Sequence, residues 1–198
     1  MAGKSRNAAR SSHGERREEI LAQALRLFSE HGVQQVSTRQ IASAVGISQP
    51  SLYAHFRTSQ EIAQELCVRA FRHLAEDLSR ALAGEGGRAE RLRRAALAYV
   101  SFGLDNPDAY RVAFMIEKLV DHRAQAEQGP GLAAGLEAYK LLRGGISGAD
   151  GTADLIAQSV WATLHGLVSL LIARPHFPWV DKAALIDAHV TRALAGLD

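Results

Sequence analysis

Residues 37–57, STRQIASAVGISQPSLYAHFR, limit what this chain can fold into more than any other stretch. Ser37 and Gln40 form an S-x-x-Q capping box, and Val36 is placed to pack on Ile41 across the same helix start. Ile41, Ala42 and Val45 then give that short helix one apolar face. Gly46 stops it, since a helix C-terminus commonly needs a left-handed residue. Ser48 caps a second helix, with Ile47 and Leu52 in the staple relation. Pro50 falls in its first turn, where a missing N–H costs nothing. Two capped helices joined by a tight turn with glycine make a helix-turn-helix, whose second helix leaves its first turn free to enter a groove.

Residues 20–62 resemble the N-terminal domain of the TetR/AcrR family of transcriptional regulators. The run LFSEHG, then VSTRQIASAVGISQPSLYAHF, then the helix start Thr58-x-x-Glu61-Ile62 carries the resemblance without a gap. The ending S-L-Y-A-H-F is its most specific part; a bare two-helix hairpin with glycine also occurs in unrelated helical domains. One departure is Ser59, where family members frequently carry lysine. Thr58 and the helix N-terminus can still take a phosphate there, with Arg57 as a substitute charge.

The first helix spans 15–31, with Ile20, Ala24, Leu27 and Phe28 at helical spacing and Gly32 ending it. Residues 1–14 are polar and without periodicity, which predicts a disordered basic tail carrying Lys4, Arg6 and Arg10. From Thr58 to about Ala83 a long helix carries Ile62, Leu66, Ala70, Leu74, Leu78 and Leu82 at i, i+4. Gly84–Gly87 reads as a boundary. Beyond it come helices at 88–104, 108–120, about 132–142, about 152–173 and 181–196, with a polar stretch to Gly131 and a GGISGADG loop at 144–151. No segment has β-periodicity, so the fold class is all-α. The domains follow as a tail (1–14), a helix-turn-helix DNA-binding domain (15–62) and a helical regulatory domain for ligand binding and dimerisation (63–198).

Charge supports that division. Residues 1–57 hold eight Lys/Arg and four Asp/Glu, against fifteen and seventeen in 58–198, so only the first part is basic. That suits a polyanion partner, though a solvated basic tail explains it too. The single Cys67 leaves no intramolecular disulfide and suits a reducing compartment. The N-terminus lacks an apolar signal region, and the apolar run Leu164 to Ala173 is short for a bilayer. Both favour a cytoplasmic protein without membrane attachment.

At the helix starts, Thr38 and Arg39 are placed to hold a phosphate. Ser48, Gln49, Pro50 and Ser51 form the first turn of the recognition helix, where Gln can pair with adenine, Ser can reach several base edges and Pro offers an apolar surface. The resemblance adds Tyr53 and His55 as backbone contacts and places Leu52 and Phe56 inside. Double-stranded DNA is the expected partner, bound by a homodimer, since one such domain has too small a footprint.

In the C-terminal half, Trp161-x-x-x-His165-Gly166-Leu167, with Asn106-Pro107-x-x-Tyr110 upstream, resembles one of the C-terminal domain types of these regulators. It implies a dimer and a small-ligand pocket. Tyr99, Phe102, Tyr110, Phe114, Met115, Trp161 and His165 are the candidate lining, with core packing as the competing role of each. Gly166, Leu167, Leu170, Leu171, Leu185 and Val190 are the candidate dimer surface, and burial within one monomer would look identical in sequence. The eight histidines fall in no metal-ligand spacing, and no P-loop, G-x-S-x-G or G-x-G-x-x-G is present. No cofactor, metal or enzymatic activity is expected. The expected function is a ligand-responsive repressor released from a pseudo-palindromic operator by a small apolar or aromatic molecule. An activator, or a helical interaction module without ligand response, remains the alternative.

Overall fold

Two hydrophobic cores share one long helix. The computed structural model describes residues 2–115, 129–146 and 151–197, with side chains from His13 onward. Among them lie nine α-helices and no strand: α1 (Ala2–His31), α2 (Thr38–Val45), α3 (Gln49–Tyr53), α4 (Ser59–Ala83), α5 (Arg88–Asp105), α6 (Pro107–Tyr110), α7 (Pro130–Gly145), α8 (Thr152–Ala173) and α9 (Lys182–Ala193). A 3-10 turn at Val33–Gln35 precedes α2, and a π-helical turn at Arg111–Met115 continues α6. The all-α class holds.

The caps form as the sequence dictates. The Ser37 hydroxyl accepts from the Gln40 amide, while the Ser37 amide donates to Gln40 Oε1 at 2.8 Å. Gly46 is left-handed (φ 75°, ψ 31°), and the Ile47 amide reaches back to the Ala42 carbonyl at 3.0 Å, a Schellman closure. Ser48 and Thr58 cap α3 and α4 by accepting from the Ser51 and Glu61 amides.

The first core joins Ile20, Ala24 and Phe28 of α1 to Ile41, Leu52, Phe56, Ile62 and Leu66. The second begins at Ala70 on the same α4 stripe and takes in Leu74, Leu78, Leu92, Ala95, Tyr99, Leu164 and Val168. The stripe therefore passes from one core to the other between Leu66 and Ala70. An ion-pair cluster fixes α1 on α4: Arg69 donates to Glu18 at 2.6 and 2.9 Å and to Glu65 at 2.9 Å. A second cluster joins α1 to the C-terminal helices. Ser29 donates to Asp108 at 2.5 Å, and Arg111 reaches Asp108 at 3.1 Å and the Ile172 carbonyl at 3.3 Å.

Several expectations need correction. The residues expected as a disordered tail continue α1 back to Ala2, because their Ala, Lys and Arg residues favour helix and propagation from the packed Ile20–Phe28 face costs little. Gly84–Gly87 is an exposed turn between two helices of the second core, since Leu78 and Leu92 on either side share that core. The helix expected over 108–120 is α6 plus the π-helical turn, and its 116–120 portion lies outside the described residues, as does most of the polar stretch that follows. Helix α7 runs from Pro130 to Gly145, longer at both ends than expected.

Helix α8 also departs from expectation, being long and apolar enough over its 22 residues to cross a membrane by length and composition. Here it is a core helix: Ala157, Leu164 and Val168 are fully buried. Leu167, Leu171 and Val190, candidates for the dimer surface, are buried in the second core, and Leu185 packs partly against it. Gly166 has open space beyond it, and Leu170 is 53% exposed.

Candidate nucleic-acid interface and ligand cavity

Arg39, Ser48, Pro50, Ser51, Tyr53, Arg57 and Thr58 are exposed, with Thr38 and Gln49 half-buried beside them. The starts of α2, α3 and α4 leave backbone N–H groups without intrahelical acceptors, a ready phosphate site. Gln49 is not a loose side chain. Its Nε2 donates to the Tyr53 hydroxyl at 2.7 Å and to Thr38 Oγ1 at 3.3 Å. Thr38 and Tyr53 oxygens lie 3.4 Å apart, so the three residues form one polar cluster spanning α2 and α3. Ser48 spends its hydroxyl on the Ser51 amide. A base edge or phosphate would exchange with bonds that already orient these groups, which lowers the ordering cost of binding.

His55 is placed differently from the rest. It packs towards α1, its ring stacked on His13 at 4.1 Å between centroids. Arg17 donates to the His55 carbonyl at 3.1 Å and lies 4.1 Å over the Phe56 ring. Burial, then the His13, Arg17 and Arg16 charges, hold the His55 pKa below the ordinary histidine value.

A cavity of about 800 Å³ opens between α4, the π-helical turn, α7 and α8. Tyr99, Phe114, Trp161 and His165 line it, together with Cys67 and Phe71 of α4 and Leu136 and Tyr139 of α7. Phe102 does not; it is buried against His73. Met115 is partly exposed and also lies off the lining, and Tyr110 stands behind it.

The polar groups behind the wall form a chain. Trp161 Nε1 donates to the Tyr99 hydroxyl at 3.1 Å, Tyr99 and Tyr110 hydroxyls are 2.9 Å apart, and Tyr110 is 2.6 Å from His165 Nδ1. Burial pushes the Tyr99 pKa up to about 12 and that of Tyr110 higher, and lowers that of His165. Burial likewise raises the Cys67 thiol to about 11, which favours the protonated form of this cavity-lining sulfur.

The cavity residues that sequence reasoning missed come from α4 and α7. Cys67 and Phe71 lie one position past Leu66 and Ala70 of the stripe that fills the cores, and Leu74 and Leu78 of that stripe reach the cavity as well.

Comparison with known proteins agrees with this arrangement. The profile of the bacterial regulatory proteins of the tetR family matches residues 20–66, and that of the Tetracyclin repressor-like C-terminal domain matches residues 92–195. The HTH-type transcriptional activator FasR of Mycolicibacterium smegmatis is similar over 99% of this chain and 89% of its own length, at 26% identity. The nucleoid occlusion factor SlmA of Salmonella paratyphi B shares 35% identity over 49% of this chain and 50% of its own. The crystal structure of PfmR from Thermus thermophilus superposes with a TM-score of 0.71, covering 90% of this chain and 98% of that one at 24% identity, a likeness of fold.

Proposed function

The chain belongs to the TetR family of DNA-binding transcriptional regulators, and from that premise we propose that it is a ligand-responsive repressor acting as a dimer in the cytoplasm. Two copies related by a two-fold axis set their recognition helices roughly 34–36 Å apart on a pseudo-palindromic operator. Gln49, Pro50 and Ser51 meet base edges. Thr38, Arg39, Tyr53 and Thr58 hold phosphates, and His55 supports α3 from behind. The dimer forms on the outward stripe of α8, Leu155, Ala162, Gly166 and Leu170, together with the exposed face of α9. Leu155 is 71% exposed, and Gly166 lets the facing backbone approach.

One observation carries the ligand response. The cavity is walled by α4 and the π-helical turn, and the same two elements enter the DNA-binding core through Ile62, Leu66 and Val112. A small apolar or aromatic molecule that favours a different spacing of these walls shifts the population away from the DNA-competent spread. The similarity to FasR, named an activator, favours activation as the second reading.

Genomic-fragment selection with the full chain at stated salt tests the first part. An enriched pseudo-palindrome, lost in Gln49→Ala and Tyr53→Ala, is expected; weak sequence-independent binding overturns it. A small-molecule library titrated against the selected operator tests the second part, and a promoter reporter decides the sign. Unchanged operator affinity across the library counts against ligand control.

A further inference from the structure

The chain of hydrogen bonds behind the cavity has a direction, and that direction assigns chemistry to the ligand. Indole N–H groups only donate, so Trp161 Nε1 gives its hydrogen to the Tyr99 oxygen. Tyr99, 2% exposed, then places its own hydrogen on the Tyr110 oxygen. Tyr110 in turn donates to His165 Nδ1. Run the other way, the Tyr99 oxygen would receive two donors, and its own buried hydrogen would lose the Tyr110 oxygen as its acceptor. His165 Nδ1 is therefore an acceptor, and its proton sits on Nε2.

His165 lines the cavity with Nδ1 already engaged. Around it stand Phe114, 5.8 Å away between ring centroids, Trp161, 6.5 Å from Phe114, and Tyr139, 6.1 Å from Trp161. This aromatic wall favours offset and edge-to-face packing of rings. We propose, resting on the reading of this cavity as an effector site, that its ligand is an uncharged, ring-bearing molecule whose carbonyl-type oxygen accepts a hydrogen bond from His165 Nε2–H. A carboxylate would draw a second proton onto the imidazole. Nδ1–H would then face the Tyr110 hydrogen, and every hydroxyl up to Trp161 would have to turn against a donor that cannot reverse.

The test uses the full chain and three matched probes: para-phenylbenzophenone, its hydrocarbon analogue para-benzylbiphenyl, and the acid ortho-(para-phenylbenzoyl)benzoate. Quenching of Trp161 fluorescence in a Trp179→Phe background reports binding. The ketone is expected to bind about two- to twelvefold more tightly than the hydrocarbon, the range of one neutral hydrogen bond, and the acid more weakly than the ketone. His165→Leu brings the ratio of ketone to hydrocarbon affinity down to about one. His165→Gln, whose amide N–H falls near the Nε2 position, restores it. Long-range proton–nitrogen NMR of the ligand-free protein is expected to show the His165 proton on Nε2.

A proton on Nδ1 overturns the proposal, as does equal binding of ketone and hydrocarbon, tighter binding of the acid, or no saturable quenching by any probe. Failure of the broader effector reading is separate: it shows as an operator affinity that no library compound changes.

Discussion

Val112 and Phe114 sit two residues apart on one π-helical turn that lines the cavity and also reaches the DNA-binding core. Both line the cavity, and Val112 is also buried in the core of the DNA-binding domain. Arg111, immediately before Val112, ties the same turn to Asp108 and to the end of α8. A π-helical turn offsets side chains relative to a regular helix, which gives this short segment both contacts. Val112→Ala removes two methyl groups from a side chain that the DNA-binding core and the cavity wall share. Expected is coupling to operator release, compared at saturating ligand, reduced by about 0.5–2 kcal/mol, roughly two- to thirtyfold. Operator titrations with and without ligand measure it, and identical release curves in variant and parent would remove the turn from the pathway.

The polar cluster of Thr38, Gln49 and Tyr53 makes distinct demands on its members. Gln49→Ala deletes the base-reading amide, so binding is expected to fall by about 1–3 kcal/mol and discrimination to relax at one base pair of each half-site. Tyr53→Phe keeps the ring and loses the hydroxyl 2.7 Å from Gln49 Nε2. Its loss is expected to be smaller, about 0.5–1.5 kcal/mol, and nearly uniform across operator variants. A matrix of both proteins against single-base operator changes separates the roles; a sequence-selective effect of Tyr53→Phe would reassign it to base reading.

The helix-turn-helix was legible in the sequence because its determinants are local. Ser37, Gln40, Gly46 and Ser48 act on backbone groups within a few residues, and each does in the structure what its chemistry predicts. The cavity was only half legible. An aromatic count names Tyr99, Phe114, Trp161 and His165, but it cannot say that Phe102 turns into the core or that Tyr110 stands behind the wall. Those directions are set by helix crossings, which also bring in Cys67, Phe71 and Tyr139. Helix α8 is apolar nearly all round, so no periodicity separates Leu167, in the core, from Leu170, outside it. His55 shows the limit of motif matching, since its neighbours on α1 decide where it points.

Ser59 is the first residue of α4, directly after the exposed Thr58 cap. A lysine there adds one phosphate contact at a helix N-terminus per protomer. Ser59→Lys is therefore expected to steepen the slope of log affinity against log salt by about 0.9 per protomer, or roughly 2 per dimer. Binding isotherms at several salt concentrations measure this. An unchanged slope would show that α4 does not approach the phosphates.

Acid is expected to destabilise the protein through two histidines. Burial lowers the folded pKa of His165, and burial with the His13, Arg17 and Arg16 charges lowers that of His55, from an ordinary value of 6.5. As pH falls through 6.5 the unfolded chain takes up protons that the folded chain refuses, so stability drops until the folded values are reached. Melting curves from about pH 7.5 down to about pH 5 are expected to show a falling Tm, with a shallower fall in His165→Gln. A Tm that rises over that interval, or one insensitive to His165→Gln, contradicts the assignment.

Gly103 of α5 faces Val168 of α8 and Tyr110 with no room for a side chain. A Cβ there would lie 2.4 Å from Val168 Cγ1 and 2.9 Å from Tyr110 Cδ2. Val168 and Tyr110 are both fully buried, so neither can swing out of the way. Gly103→Ala is thus expected to cost about 1–3 kcal/mol by overpacking, offset only partly by the better helix propensity of alanine. Because Tyr110 is the neighbour displaced, the strain should reach His165 through their shared hydrogen bond. Denaturant unfolding measures the first effect, and the NMR tautomer signal of His165 the second. A stability equal to the parent would mean the helices separate freely at this point, and Tyr110 would then be too loosely held to fix the His165 proton.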